Sequence, residues 1–194
     1  MAASLPEGWV VRPATPSDFA AVLALQRSQL RGVLDDHGEG FLTVSHTPEQ
    51  LSTLNSPVPH TVAFGEGNLL GYALGMSLEH RDLIPVLEPL FTQLDRHTWR
   101  GRRIAELDYT VVGQVCVAPA TRGRGVFRAL YAAWCRAQAE RFALGVTEID
   151  ASNVRSLAAH AAIGFEEIGR HRQGGQQWVL VGRELAPDTR AFDP

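Results

Sequence analysis

Val115-Cys116-Val117-Ala118-Pro119-Ala120-Thr121-Arg122-Gly123-Arg124-Gly125-Val126-Phe127-Arg128 carries an apolar run through an arginine- and glycine-rich turn into a helical pattern. The run begins at Tyr109 and shows little alternation, as expected of a central strand covered on both faces, and Pro119 ends it. From Gly123 or Arg124 to Phe142 the spacing of Leu130, Ala133, Trp134 and Ala137 predicts a helix with those residues inward. A strand over Val146 to Asp150 completes a β-α-β unit. At the turn, the helix N-terminus offers N–H groups without internal partners, and Gly123 and Gly125 let an anion approach the main chain. Arg122, Arg124 and Arg128 add positive charge, so the turn reads as a pyrophosphate site. It is not a P-loop, because the chain contains no Lys, and Phe127 and Arg128 stand where the dinucleotide fingerprint needs small residues.

Working outward, Trp9 to Arg12 reads as a short strand, and Thr15, Pro16 and Asp18 give the start signal of a helix with Phe19, Val22, Leu23 and Leu30 on one period. Thr47, Pro48 and Gln50 repeat that signal for a helix over Pro48 to Leu54. His60 to Phe64 and Asn68 to Leu78 read as antiparallel strands joined at Gly65, Glu66 and Gly67. Ile84 to Leu94 places Leu87, Leu90, Phe91 and Leu94 on one helical face, an inserted helix that either caps the core edge or forms a lid. Asn153 to Ile163 is a further helix stopped by Gly164, followed by strands at Phe165 to His171 and Gln177 to Gly182. No linker divides the chain, so one domain over residues 1–194 is expected, with Ala186 to Pro194 as a loose tail.

The bulk properties exclude more than they assign. With 45% apolar residues in 194, the chain can bury a sizeable core, and a formal charge of −3 gives no reason to expect nucleic acid or an anionic membrane as partner. All 18 Lys-plus-Arg positions are Arg, which reads as coding bias rather than a recognition device. Two cysteines, Cys116 and Cys135, suggest neither a disulfide framework nor a metal cluster, and a cytoplasmic setting fits.

On the residues Arg122, Gly125 and the flanking strand, together with the later Asn153, Ser156, Gly164, Phe165 pattern, the sequence resembles the GNAT superfamily of acyl-CoA N-acyltransferases. That family's signature is Gln or Arg, two residues, Gly, one residue, then Gly or Ala; Phe127 departs at the last position. The resemblance implies an α/β (α+β) fold: a mixed, mostly antiparallel central sheet flanked by helices, with the inserted helix between the third and fourth strands. It implies acetyl-CoA as cofactor, with the backbone of Val115, Cys116 and Val117 pairing with the pantetheine arm and an amide there polarising the thioester carbonyl. Arg122, Gly123, Arg124, Gly125, Val126, Phe127 and Arg128 would then hold the pyrophosphate.

Asn153, Ser156 and His160 share one helix face. Asn153 either caps the helix or bonds the pantetheine, and Ser156 joins it at the cofactor. His160 stands where many members of the family it resembles have a tyrosine that protonates the departing thiolate; it either does that work or packs beside the cofactor. For the base, Asp108 at the start of the fourth strand is favoured over Glu106, while Gln114 is restricted to orienting a water. Cys116 lacks a histidine neighbour in the sequence and reads as a buried strand residue rather than a nucleophile.

The expected function is transfer of the acetyl group of acetyl-CoA to a primary amine of a small molecule, peptide or protein by direct attack in a ternary complex. The alternative is a non-catalytic CoA-binding sensor or structural module. Monomer and homodimer are both open, no metal is expected, and Asp35, Asp36 and Glu39 are candidates to attract a cationic amine.

Overall fold

In the computed structural model, which describes residues 5–34, 40–83 and 88–185, the edge of the sheet is β1 (Val10–Pro13). It pairs antiparallel with β2 (Thr61–Gly65), which turns through Glu66 and Gly67 into β3 (Asn68–Met76). Before β2 come α1 (Phe19–Ser28), entered through a 3-10 turn at Pro16–Asp18, and α2 (Pro48–Leu54). The α2 start is a reciprocal cap: Gln50 N–H donates to Thr47 Oγ1 at 3.2 Å and Thr47 N–H donates to Gln50 Oε1 at 2.9 Å.

After β3 follow α3 (Glu88–Leu94) and a two-residue-per-strand hairpin, β4 (Thr98–Trp99) and β5 (Arg102–Arg103). This hairpin was not anticipated; Arg100 at φ 49 and Gly101 at φ 80 make its turn. Then come β6 (Tyr109–Val117), α4 (Val126–Gln138), β7 (Leu144–Asp150), α5 (Val154–Ala161), β8 (Glu166–Gln173) and β9 (Gln176–Glu184). The main sheet has seven strands in the order β1-β2-β3-β6-β7-β9-β8, and β6-β7 is its parallel pair. The expected fold class therefore holds. Asp35, Asp36 and Glu39, the first part of the predicted inserted helix (84–87), and the tail (186–194) lie outside the described residues.

Helices cover both faces. On one, Leu90, Phe91 and Leu94 of α3 are buried with Met76, Tyr109, Val111, Leu144, Val146 and Leu180, so α3 covers the core. Phe19, Val22 and Leu23 of α1 and Leu51 of α2 pack beside it on Tyr72, Leu74 and Cys116. On the opposite face, Tyr131 and Trp134 of α4 pack with Ile149, Ile163, Phe165, Val179 and Val181. Among the described residues no helix is long and apolar enough to cross a membrane.

Candidate active site

The site originates in an incomplete ladder. Tyr109, Thr110 and Val111 of β6 pair with Leu144, Gly145 and Val146 of β7, and the pairing stops there although both strands continue. Within β6, Leu74 opposes Gln114 and Gly75 opposes Val112, so Gly113 is an extra, bulged residue that bends the strand where it leaves its neighbour. On the other side of β6, Ala118 N–H donates to Leu70 C=O at 2.8 Å. Since backbone direction alternates along a strand, Cys116 and Gln114 also face β3, and Val115 and Val117 direct their N–H and C=O groups into the gap. Val117 C=O accepts there from Arg122 Nε at 3.3 Å. Cys116 itself is buried, with its thiol pushed up to about 12 by burial, which is not the profile of a nucleophile.

At the end of β6 the predicted anion turn forms, with Gly123 at φ 75 and Gly125 at φ 86 immediately before α4. The left-handed backbone at Gly125 is what aims the first-turn N–H groups of Val126, Phe127 and Arg128 outward. The arginine side chains do something different from the sequence expectation. Arg122 donates to Gln29 Oε1 at 2.7 Å, Arg128 to Ala162 C=O at 3.4 Å, and Arg124 stacks on Trp9 at 4.4 Å from the ring centre. Arg124, stacked on Trp9, does not border the cavity, whereas Arg122 and Arg128 do.

On α5, Asn153 is the N-cap: Ser156 N–H donates to its Oδ1 at 3.2 Å. Its Nδ2 donates to Phe41 C=O at 3.2 Å. Ser156 lines the gap, one turn before His160. His160 is 2% exposed and surrounded by Phe127, Tyr131 and Phe165. A carbonyl only accepts, so the 2.8 Å contact to Ser156 C=O fixes the proton on His160 Nδ1, and Nε2 accepts from Tyr131 O–H at 2.7 Å. Burial lowers its pKa to about 4, so the ring is neutral near pH 7, with both nitrogens engaged inside the protein.

Two cavities meet across the gap. One, of about 330 Å³, runs from Val115 and Val117 to the glycine turn and the start of α4. The other, of about 250 Å³, lies toward Thr147 to Asp150 of β7 and Trp178. Phe41, Leu42, Val115, Asn153 and Ser156 border both. Residues 41–44 form a crossbar over the junction, tied to β6 where Gln114 Nε2 donates to Val44 C=O at 2.8 Å and to α5 through Asn153. Gln114 is held at both ends of its amide: its Oε1 accepts from Tyr72 O–H and Gln26 Nε2, each at 2.7 Å. Its expected water-orienting role gives way to this anchoring one.

Asp108 is not brought to the gap. It precedes β6 at the joined end, where its carbonyl accepts from Ala143 N–H at 2.8 Å, roughly 20 Å along the strand from Val115. Glu106 is exposed in the same region. The carboxylates that do line the smaller cavity are Asp150 and Glu148, neither anticipated. Asp150 is saturated by Arg31 at 2.9 Å, Gln176 at 3.1 Å and Ser152 at 2.8 and 2.6 Å. Glu148, by contrast, has a buried Oε2 without a hydrogen-bond partner, and burial pushes its carboxyl up to about 7. Among the described residues no cluster of His, Cys, Asp or Glu could hold a metal ion.

No family model and no curated protein sequence matches the chain. Solved structures do. The ribosomal-protein-S18-alanine N-acetyltransferase of Escherichia coli superposes with a TM-score of 0.63 at 12% identity, covering 96% of this chain and 99% of that one. A putative acetyltransferase from Salmonella typhimurium, solved with its cofactor acetyl-CoA, gives 0.61 at 17% identity over 96% and 99%. A GNAT superfamily phosphinothricin acetyltransferase from Sinorhizobium meliloti, in complex with acetyl-CoA, gives 0.61 at 18% over 96% and 94%. Near-complete coverage of such structures, with the same mixed sheet and splayed parallel pair, shows that this chain has the GNAT acetyltransferase fold.

Proposed function

We propose that the chain is an acyl-CoA-dependent N-acyltransferase that transfers an acetyl group from acetyl-CoA to a primary amine by direct attack in a ternary complex. The observation that carries this reading is the meeting of two cavities at Val115, Asn153 and Ser156, one leading to an anion turn and the other to an untied carboxylate. The residues present fit the cofactor: an unladdered strand edge at Val115 and Val117 suits an amide-bearing arm, and the first-turn N–H groups of α4 suit a pyrophosphate. When bound, acetyl-CoA supplies the thioester-activated acetyl group.

The chain's own residues would then divide the proton work. Glu148, half ionised near neutral pH, accepts the proton that an acceptor ammonium must lose before its nitrogen can attack. Val115 presents a fixed main-chain donor at the junction, which needs no reorganisation as charge develops opposite it. Ser156 Oγ, 3.3 Å from His160 Nδ1, holds a hydroxyl proton beside the departing group. His160 acts through Ser156 and Tyr131 as a positioning residue, in place of the direct acid role read from the sequence. Asn153 serves as cap and crossbar anchor. Thr147 to Asp150, Trp178 and the crossbar enclose the acceptor, so a small amine or the end of a peptide fits better than a bulky one.

Calorimetric titration with acetyl-CoA, followed by thiol release with amines, polyamines, amino acids and short peptides, tests the reading. The fold's enzymes named for ribosomal-protein alanine and for phosphinothricin provide two acceptors for the panel. Failure to bind acetyl-CoA would sink the proposal. Binding without release from any amine would favour the non-catalytic CoA-binding module.

A further inference from the structure

Behind the acceptor cavity lies a titratable group that the scheme above leaves idle. His171 of β8 lies behind Glu148, Nε2 to Oε2 at 3.5 Å, with side chains 6% and 9% exposed. Register puts them on one face: Glu148 opposes Leu180, and His171 opposes Trp178, two residues back along β9. Glu148 Oε2, His171 Nε2 and His171 Nδ1 are all buried without a hydrogen-bond partner; Gln173 sits alongside the ring without a bond of normal geometry. Three orphaned polar atoms in two touching side chains are costly, on the order of 1–3 kcal/mol each. Unpaired buried groups in contact with one another are a feature of sites that exchange a proton.

We infer that Glu148 and His171 form a proton-sharing couple, through which the proton taken from the acceptor ammonium leaves the closed side of the cavity. The inference rests on the proposed acyl transfer at this site. The steps balance simply. The ammonium gives one proton to the Glu148 carboxylate and becomes the attacking amine. The resulting carboxylic acid passes that proton from Oε2 to the Nε2 lone pair of neutral His171, restoring the carboxylate. The imidazolium then loses its Nδ1 proton to water admitted at β8, the last strand of the sheet, and returns to neutrality.

The other ionisable groups around the couple are few. Asp150, on the same face of β7, is neutralised by Arg31. His97 lies over Gly169, two residues before His171 on β8, with its Nδ1 donating to Gln93 C=O at 2.7 Å; an alanine Cβ at Gly169 would come within 2.3 Å of His97 Nε2. His97 is half-buried, and its proximity disfavours a positive charge at His171, so the imidazolium is short-lived.

The test has an arm that needs no acceptor. Ring-nitrogen NMR of His171 is followed against pH in the wild type and in Glu148→Gln. Protons shared between the two groups couple their titrations, so the His171 ring shifts in the wild type should follow the Glu148 ionisation near pH 7, an inflection that the variant should lose. In the second arm, thiol release from acetyl-CoA with an alanine-initiated peptide is measured for His171→Ala and His171→Gln across pH. The expected result is a fall of about tenfold or more in kcat with KM for the peptide little changed, an altered pH profile, and partial recovery of His171→Ala on adding imidazole. A His171 titration identical in wild type and variant overturns the couple, whatever the activity. A normal pH profile in both His171 variants overturns its role as outlet. If the wild type releases no thiol with any amine, the proposed activity fails, and the titration still decides whether the couple exists.

Discussion

Glu148→Gln is expected to make this protein more stable and less active at once. The carboxyl moves from an ordinary 4.5 to about 7 on folding because burial disfavours its charged form. Below pH 4.5 the group is protonated in both the folded and unfolded states and costs nothing. As pH rises toward 7 the unfolded chain gives up this proton while the folded chain keeps it, so folding loses stability over that window. The span from 4.5 to about 7, at about 1.36 kcal/mol per pH unit, sets a ceiling of roughly 3 kcal/mol on the loss. Glutamine preserves the shape and cannot ionise. For a chain of this length each kcal/mol moves Tm by about 2–4 °C, so the variant should melt higher at pH 8, by at most about 6–12 °C, with little difference at pH 4. Removing a general base should meanwhile lower kcat by about 10²- to 10⁴-fold. Thermal melts of both proteins at several pH values, paired with thiol release, check this. A Tm difference that stays constant with pH, or shrinks as pH rises, would refute the reasoning.

Three further outcomes follow from the geometry. Tyr131→Phe removes the donor to His160 Nε2 and leaves a buried acceptor unpaired, at a cost of about 1–3 kcal/mol readable by urea denaturation. Gly125→Ala forces a Cβ onto φ 86, strain of about 1–2 kcal/mol borne by the anion turn, and calorimetry should show acetyl-CoA binding weakened by roughly tenfold. Asn153→Ala loses the α5 cap and one end of the crossbar; stability should drop by about 1–2 kcal/mol, and amide exchange at residues 41–44 should rise while that of β3 stays protected.

What the sequence disclosed was local. The anion turn was legible because Gly123 and Gly125 sit between an apolar run and a helical one, and the α5 cap because Asn153 precedes an alanine-rich period. The acceptor side depends instead on long-range placement. Glu148 matters because β7 leaves β6 after Val146, and no pattern within Val146 to Asp150 reports where its neighbour stops. Alternation along that strand did place Glu148 on the face of Val146, a charged residue among buried positions, which was the available signal. Asp108 was misjudged for the converse reason: strand position was legible, but which end of the pair opens was not. His160 was correctly placed on the face with Ser156, yet its chemistry is set by Tyr131, 29 residues earlier on another helix. The crossbar has no motif, since Phe41 and Val44 take part through their carbonyl groups.

That crossbar closes a hoop. β6, residues 41–44 and the start of α5 encircle the passage between the two cavities, joined by the bonds of Gln114 and Asn153. A conjugate that fills both chambers at once would be a thread through an eyelet: to leave, it must draw its slimmer end back through or wait for the eyelet to part. Its residence time would then follow the girth of that end and the lifetime of two hydrogen bonds, so widening the slimmer terminus should prolong occupancy even where it adds no favourable contact.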